Sequence, residues 1–232
     1  MRRGLDSCMQ GTLTGLVLDT STHEGDLYVK LAGITDNGKR GVTWIHSVKF
    51  SGPRVPAQVP AIGTPVMVDC VATREVFTVR GQQASRVRIH GKSLVVMTRP
   101  VETAQHGKVL FLKGATNRFV FDAHLVQGAL TKPTKAGKVV EARLAVKDKR
   151  GTLHYFKSEA WRDAGEVLGR MRSGGEGTFE CILRRDKVGE KAFDVMEVMG
   201  VTPRSRPAQA APAQVRTQVQ AAPVRELAAV GR

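Results

Sequence analysis

No run of about 18 apolar residues occurs anywhere in the sequence, which removes a membrane-spanning helix. The first residues, MRRGLDSCMQG, carry charge but no apolar core, so they do not read as a secretory signal. Cysteine is scarce. Cys8, Cys70 and Cys181 are odd in number and far apart, with no C-x-x-C. That excludes a disulfide framework and a zinc-ribbon signature, and it suits a reducing cytoplasm. There is no G-x-S-x-G, no P-loop and no paired-carboxylate motif, so no enzyme is expected. The six histidines (23, 46, 90, 106, 124 and 154) form no H-x-x-x-H and no His/Cys cluster. Neither a metal nor another cofactor is therefore expected. Aromatic residues make up only 5%, twelve in all, which leaves few rings for any stacking surface.

What the sequence has is positive charge: 36 Lys+Arg against 21 Asp+Glu, a formal net charge of +15 over 232 residues. Such an excess points to a polyanion, most often nucleic acid. It is spread along the chain: +7 in residues 1–115, +4 in 116–201 and +4 in 202–232. The last segment consists largely of Pro, Ala, Gln, Val and Arg, without aromatic residues or Ile, and reads as a disordered basic tail. Elsewhere, 41% hydrophobic and 25% charged residues can support a core, in one large domain or two of about 100 residues.

The two halves repeat each other as strands bounded by Gly, Pro, Asn or Asp. The first runs GTLTGLVLD (11–19), DLYVKLAGIT (26–35), VTWIHSVKF (42–50), TPVMVDCVATR (64–74) and SRVRIHGKSLVVM (85–97). The second runs FVFDAHLVQGALT (119–131), KVVEARLAVK (138–147), TLHYFKSEAW (152–161), GTFECILRR (177–185) and KAFDVMEVMGV (191–201). Gly25 and Gly137, Asp36 and Asp148, Trp44 and Tyr155, and Phe50 and Trp161 are separated by 112, 112, 111 and 111 positions. A duplicated five-stranded unit explains that spacing. In the second half, Ala164, Val167, Leu168 and Met171 fall at helical spacing before Gly174-Gly175. The first half has SGPRVPAQVPAIG there, whose prolines forbid a regular helix. A helix between strands three and four is the layout of the OB-fold. The expected fold is mainly β: tandem OB-fold five-stranded barrels at 1–97 and 119–201, the second with that helix, plus a disordered tail at 202–232. Residues 98–118 connect them, and VLFL within that connector is expected to add an edge strand or hairpin.

Alternation along the third strand puts Tyr155, Lys157, Glu159 and Trp161 on one face, and His154, Phe156, Ser158 and Ala160 on the other. In the first half Trp44, His46, Val48 and Phe50 share a face. Two rings six residues apart lie roughly 20 Å apart along a strand, which suits separate nucleotides of an extended strand with a cation between them. Lone strand aromatics are more often core residues. Lys157 and Glu159 tell against burial of the Tyr155–Trp161 face.

Through LVQGALTKP (125–133), ARLAV (142–146), HYFKSEAWRDAGEVL (154–168) and GTFECILRR (177–185), the second half resembles the bacterial single-stranded DNA-binding protein (SSB) family. The resemblance covers about 85 residues well and another 85 faintly. It implies that Tyr155, Lys157 and Trp161 contact DNA, with Trp44, His46 and Phe50 as looser counterparts. It also implies a two-barrel chain assembling as a homodimer with four barrels. Three departures stand out: the Pro-rich loop in place of the first helix, His46 where a permanent cation belongs, and VRELAAVGR where the family ends in an acidic, Phe-tipped peptide. Recruitment of partners through such a tip is not expected.

The expected function is sequence-independent binding of single-stranded DNA in replication, recombination or repair, in the cytoplasm at the nucleoid. Stacking is expected on Trp44, Phe50, Tyr155 and Trp161. Phosphate contacts are expected from Lys30, Arg40, His46, Arg74, Arg86, Arg88, Arg143, Lys147, Lys149, Arg150, Lys157, Arg184, Arg185 and Lys187. The alternatives are strand annealing or replication restart, RNA binding, and a protein–protein adaptor on the same scaffold.

Overall fold

The computed structural model describes residues 9–36, 41–79, 81–148, 151–188 and 191–204, with the backbone alone at 79, 82, 187, 188 and 191. The basic tail from 205 onward, Arg40, Lys149, Arg150 and the side chain of Lys187 lie outside that description.

Five strands form the first barrel: β1 (Met9–His23), β2 (Asp26–Asp36), β3 (Gly41–Phe50), β4 (Pro65–Val79) and β5 (Gln82–Val96). Their order is β2-β3-β5-β4-β1, and β1 closes the ring. It can do so because it bends. Residues 9–16 pair with β4, residues 16–23 pair with β2, and the register shifts between Val17 and Asp19. The loop after β3 holds only a short 3-10 turn at Gly52–Arg54. A hairpin, β6 (Thr103–His106) and β7 (Val109–Leu112), then adds to the barrel edge through Gly33↔Leu112.

The second barrel repeats the pattern with β8 (Asn117–Leu125), β10 (Gly137–Lys147), β11 (Leu153–Trp161), β12 (Glu176–Val188) and β13 (Lys191–Pro203). It closes where β8 meets β10 at Leu125↔Leu144. The short β9 (Leu130–Thr134) lies along the outer edge of β10. Helix α1 (Arg162–Arg170) sits between β11 and β12 and buries Gly165 and Leu168 against the barrel. It stops one residue short of Met171, which is extended. The tandem OB arrangement expected from the repeat is the observed one.

Strands β1 and β8 pair antiparallel from Gln10↔Val120 to Leu13↔Asn117, so the two barrels share one thirteen-stranded sheet among the described residues. Their interiors are aliphatic with a few rings. Leu13, Val17, Val29, Leu31 and Phe50 are fully excluded from solvent in the first, as are Phe119, Leu125, Leu144 and Phe179 in the second. Each such side chain contributes about 1.5–3 kcal/mol. Cys70 and Cys181 face inward as expected, and burial pushes the Cys70 thiol up to about 12.

Two hairpins outrun their barrels. Strand β4 pairs with β1 only through Pro65–Ala72, and β5 meets β3 only at Ile89 and His90, so residues 73–79 and 81–87 extend beyond the first barrel as an arm. Strand β12 likewise leaves β8 after Cys181. Each arm reaches the other barrel.

Candidate nucleic-acid interface

The third strands of the two barrels decide which rings are available. In β11, Phe156, Ser158 and Ala160 are buried, Lys157 is exposed, and Tyr155 and Trp161 are partly exposed. In β3 the phase is reversed from the expectation. Trp44, His46, Val48 and Phe50 are the inward face, with Trp44 4% and Phe50 0% exposed. Thr43, Ile45 and Ser47 face out. Trp44, His46 and Phe50 are therefore core residues, and their assignment as DNA contacts is corrected.

The reason is a one-residue error in repeat alignment. The bulge residue Cys70 pairs with Gly91, and Cys181 pairs with Val198. Two residues before those partners, Ile89 meets Val48 and Met196 meets Ser158. Val48 thus corresponds to Ser158, an offset of 110 rather than 111. Trp44 then corresponds to His154 and Phe50 to Ala160. A one-residue slip moves every side chain to the opposite face.

Glycines make room for the buried rings. A Cβ on Gly33 would lie 2.5 Å from Trp44 Cζ2, and one on Gly91 would collide with the Phe50 ring. The Trp44 indole N–H donates to Thr35 Oγ1 at 2.8 Å, so the ring is buried with its polar atom satisfied.

His46 serves the joint between barrels. Its Nε2 donates to the carbonyl of Leu183 on the second arm at 3.1 Å, and Asn117 Nδ2 donates to the same oxygen at 2.8 Å. The Asn117 side-chain oxygen accepts the Leu183 N–H at 3.2 Å. Burial, with nearby Arg185 adding to it, lowers the His46 pKa to about 4 despite the hydrogen bond to Leu183. His46 is thus a neutral strut.

On the outer side of that joint the first arm crosses β11 and β13. Arg74 donates to the Tyr155 carbonyl and, through Nη2, to Ser85 Oγ at 2.8 Å. The Val87 N–H donates to Asp194 Oδ2 at 2.8 Å. Between the arm and the second barrel runs a groove of about 280 Å³, whose wall includes Arg74, Arg86, Arg143, Tyr155, Lys157 and Phe193. Arg143 stands opposite Lys157 in the β10–β11 ladder. Its guanidinium lies over the Tyr155 ring, 4.8 Å from the centroid. Burial and the like charge of Arg143 both lower the pKa of Arg74. Neither arginine has a carboxylate partner among the described residues. Two arginines close enough to repel, beside an aromatic ring, form a place where an anion with a flat face would be stabilised.

The other expected cations are not equivalent. Arg184 is held by Glu159, Asp186 and Glu197 at 2.8–2.9 Å. Burial works against its charge, yet the three carboxylates outweigh it and raise its pKa. Arg184 is a structural charge, not a free phosphate contact. Arg86 and Arg88 share Glu75 at 2.7 and 3.1 Å. Lys157 is half exposed and touches Glu159 at 3.0 Å. Lys30, Lys147 and Arg185 are exposed, away from the groove wall.

No family model matches the chain, and no curated protein matches it. Among solved structures it is similar to the wild-type single-stranded DNA binding protein from Thermus aquaticus. That match has a TM-score of 0.67 at 22% identity, over 88% of this chain and 96% of that one. A deletion variant of the same Thermus aquaticus protein matches at TM-score 0.67 and 21% identity, over 90% of this chain and 100% of that one. The chain shares its fold with that Thermus aquaticus protein. Individual contacts have to come from this chain's own residues.

Three aromatics outside the core escaped the sequence reading of the SSB-like barrels. Phe193 is 44% exposed on the groove wall. Phe77 lies under Arg86 at 5.1 Å, and Tyr28 has Lys49 and Arg88 within 5.9 and 5.7 Å. Cross-strand pairing of Tyr28 with Lys49 and position in the arms are the signals that mark them. Both need the register, which the sequence alone leaves open.

Proposed function

We propose that this chain binds single-stranded DNA without sequence preference, in the groove where the first arm crosses the second barrel. Tyr155 stacks a base, and Phe193 offers a second ring on the same wall. Arg74, Arg143 and Lys157 hold phosphates, and the strand continues along β11 toward Trp161. The observation that carries this reading is that Arg74 and Arg143, from different barrels and neither with a carboxylate partner among the described residues, line one groove with Tyr155, where Asp194, the carboxylate on its wall, accepts the Val87 N–H. Base–aromatic stacking contributes about 1–3 kcal/mol per base and needs no particular sequence. A homodimer would present four barrels to one strand, in the service of replication, recombination or repair in the cytoplasm. No helix among the described residues is long and apolar enough to cross a membrane.

Titration with oligo-dT of increasing length at two salt concentrations tests the reading. Affinity is expected to rise with length up to the site size and to fall with salt as counterion release loses its advantage. Salt-independent binding, or none, would overturn it.

A second reading, strand annealing or RNA binding, draws on the basic composition of residues 202–232, which hold five Lys+Arg and one Glu. Competition between oligo-dT and oligo-U, with annealing measured with and without that segment, separates the two readings.

A further inference from the structure

The last turn of α1, the Met171–Glu176 loop and the end of β13 enclose a cleft of about 350 Å³ that the DNA reading does not use. Its apolar lining is Val167, Met171 and Pro203, and Arg170, Arg172 and Arg204 also line it. Glu176 is the one carboxylate on its wall among the described residues. Arg204 is tied to Asp122 at 2.6 Å. Arg170 meets Glu166 at 3.2 Å in a solvent-exposed pair, the kind worth least and most easily exchanged. Arg172 has no carboxylate partner among the described residues.

We propose that this cleft docks an acidic, leucine-type peptide segment of a partner protein, with one or two aliphatic side chains inside and carboxylates on Arg170 and Arg172. The volume matches a small ligand pocket. Met171 supplies an unbranched, polarizable contact that adapts to different side chains. Charge selects the acidic partner, since Arg172 has no carboxylate partner among the described residues and the exposed Arg170–Glu166 pair exchanges easily, while Arg204 stays tied to Asp122. The chain's own 202–232 segment is a poor occupant because it is itself cationic. Nucleic acid is disfavoured because no ring lines the cleft, so bases find no stacking face. Phe193 of the groove lies ten residues back along β13 from Pro203, roughly 33 Å at strand rise. A peptide seated here leaves the groove open, so the chain can hold DNA and a partner together. This inference stands whether or not the groove binds DNA.

The test uses the full chain with ¹³C-labelled methionine methyls and the capped hexapeptide Glu-Leu-Asp-Asp-Leu-Glu as probe. Saturable shifts of the Met171 methyl are expected, with Met196 in the barrel core unmoved. The R170E/R172E variant alters exposed residues. It is expected to keep the Met196 signal and its oligo-dT affinity while losing about tenfold in peptide affinity. Absence of any Met171 shift would overturn the proposal. So would equal binding of Lys-Leu-Lys-Lys-Leu-Lys, or an oligo-dT titration that moves Met171 in the same way, which would make the cleft a nucleic-acid site.

Discussion

Arg74 in the arm of the first barrel donates a hydrogen bond to the main-chain carbonyl of Tyr155 in the second. The cation from one barrel and the ring from the other are thereby fixed in one groove. Val87–Asp194 and the Leu183 carbonyl shared by His46 and Asn117 hold the same joint from either side. The proposed site belongs to the pair of barrels and to neither one alone.

Two arginines in the second barrel are expected to behave oppositely when replaced. Arg143→Gln removes a cation without a carboxylate partner, so the slope of log K against log salt should fall by about 0.7. Stability should change by less than about 0.5 kcal/mol. Arg184→Gln removes the guanidinium that bridges the buried carboxylates of Glu159 and Glu197. It should cost about 3 kcal/mol of stability and leave the salt slope unchanged. Urea unfolding and salt-dependent titration of both variants check this.

The two tryptophans should also separate. Oligo-dT is expected to quench Trp161, so Trp161→Phe abolishes the signal and Trp44→Phe preserves it. Trp44→Ala removes a core ring that packs over Gly33, and should cost about 3–5 kcal/mol. Steady-state fluorescence of the single-tryptophan variants distinguishes the outcomes.

His46 sets a pH limit on the joint. Its folded pKa, about 4, lies below the ordinary value of 6.5, because burial disfavours the charged ring. The unfolded chain therefore binds a proton that the folded chain refuses. Stability from this residue is full above about pH 6.5 and falls as pH drops toward 4, by about 3 kcal/mol in total. Urea midpoints measured across that window should decline more steeply for the parent than for His46→Gln. Parallel declines would remove His46 as the cause.

Ser158 is fully buried and its hydroxyl has no hydrogen-bond partner. The corresponding position in the first barrel is Val48. Ser158→Ala should therefore raise stability by about 1 kcal/mol, since an unpaired buried hydroxyl opposes folding. A lower unfolding midpoint would show that the hydroxyl has a partner.

Periodicity was enough to find ten barrel strands and the helix, because alternation and turn residues act locally. It also put Tyr155 and Lys157 on one face of β11, where the structure has them partly exposed and exposed, with Arg143 across the ladder. It failed at Trp44 and Phe50, where offset 111 and offset 110 fit the turns almost equally well and only the ladder chooses between them. Gly33 and Gly91, which vacate space for those rings on neighbouring strands, were the overlooked signal. The crossing of the arms, and with it the roles of Arg74, Phe193 and Asn117, depends on contacts more than 60 positions apart, such as Asn117–Leu183 at 66 and Arg74–Tyr155 at 81. No local pattern encodes them.

The most direct measurement compares oligo-dT with a duplex of equal length, for the parent and for Tyr155→Ala. The parent should prefer the single strand. Loss of the ring should cost about 1–3 kcal/mol on the single strand and nearly nothing on the duplex. Equal affinity of the parent for both nucleic acids, or an unchanged oligo-dT affinity in Tyr155→Ala, would contradict a stacking groove at the barrel junction.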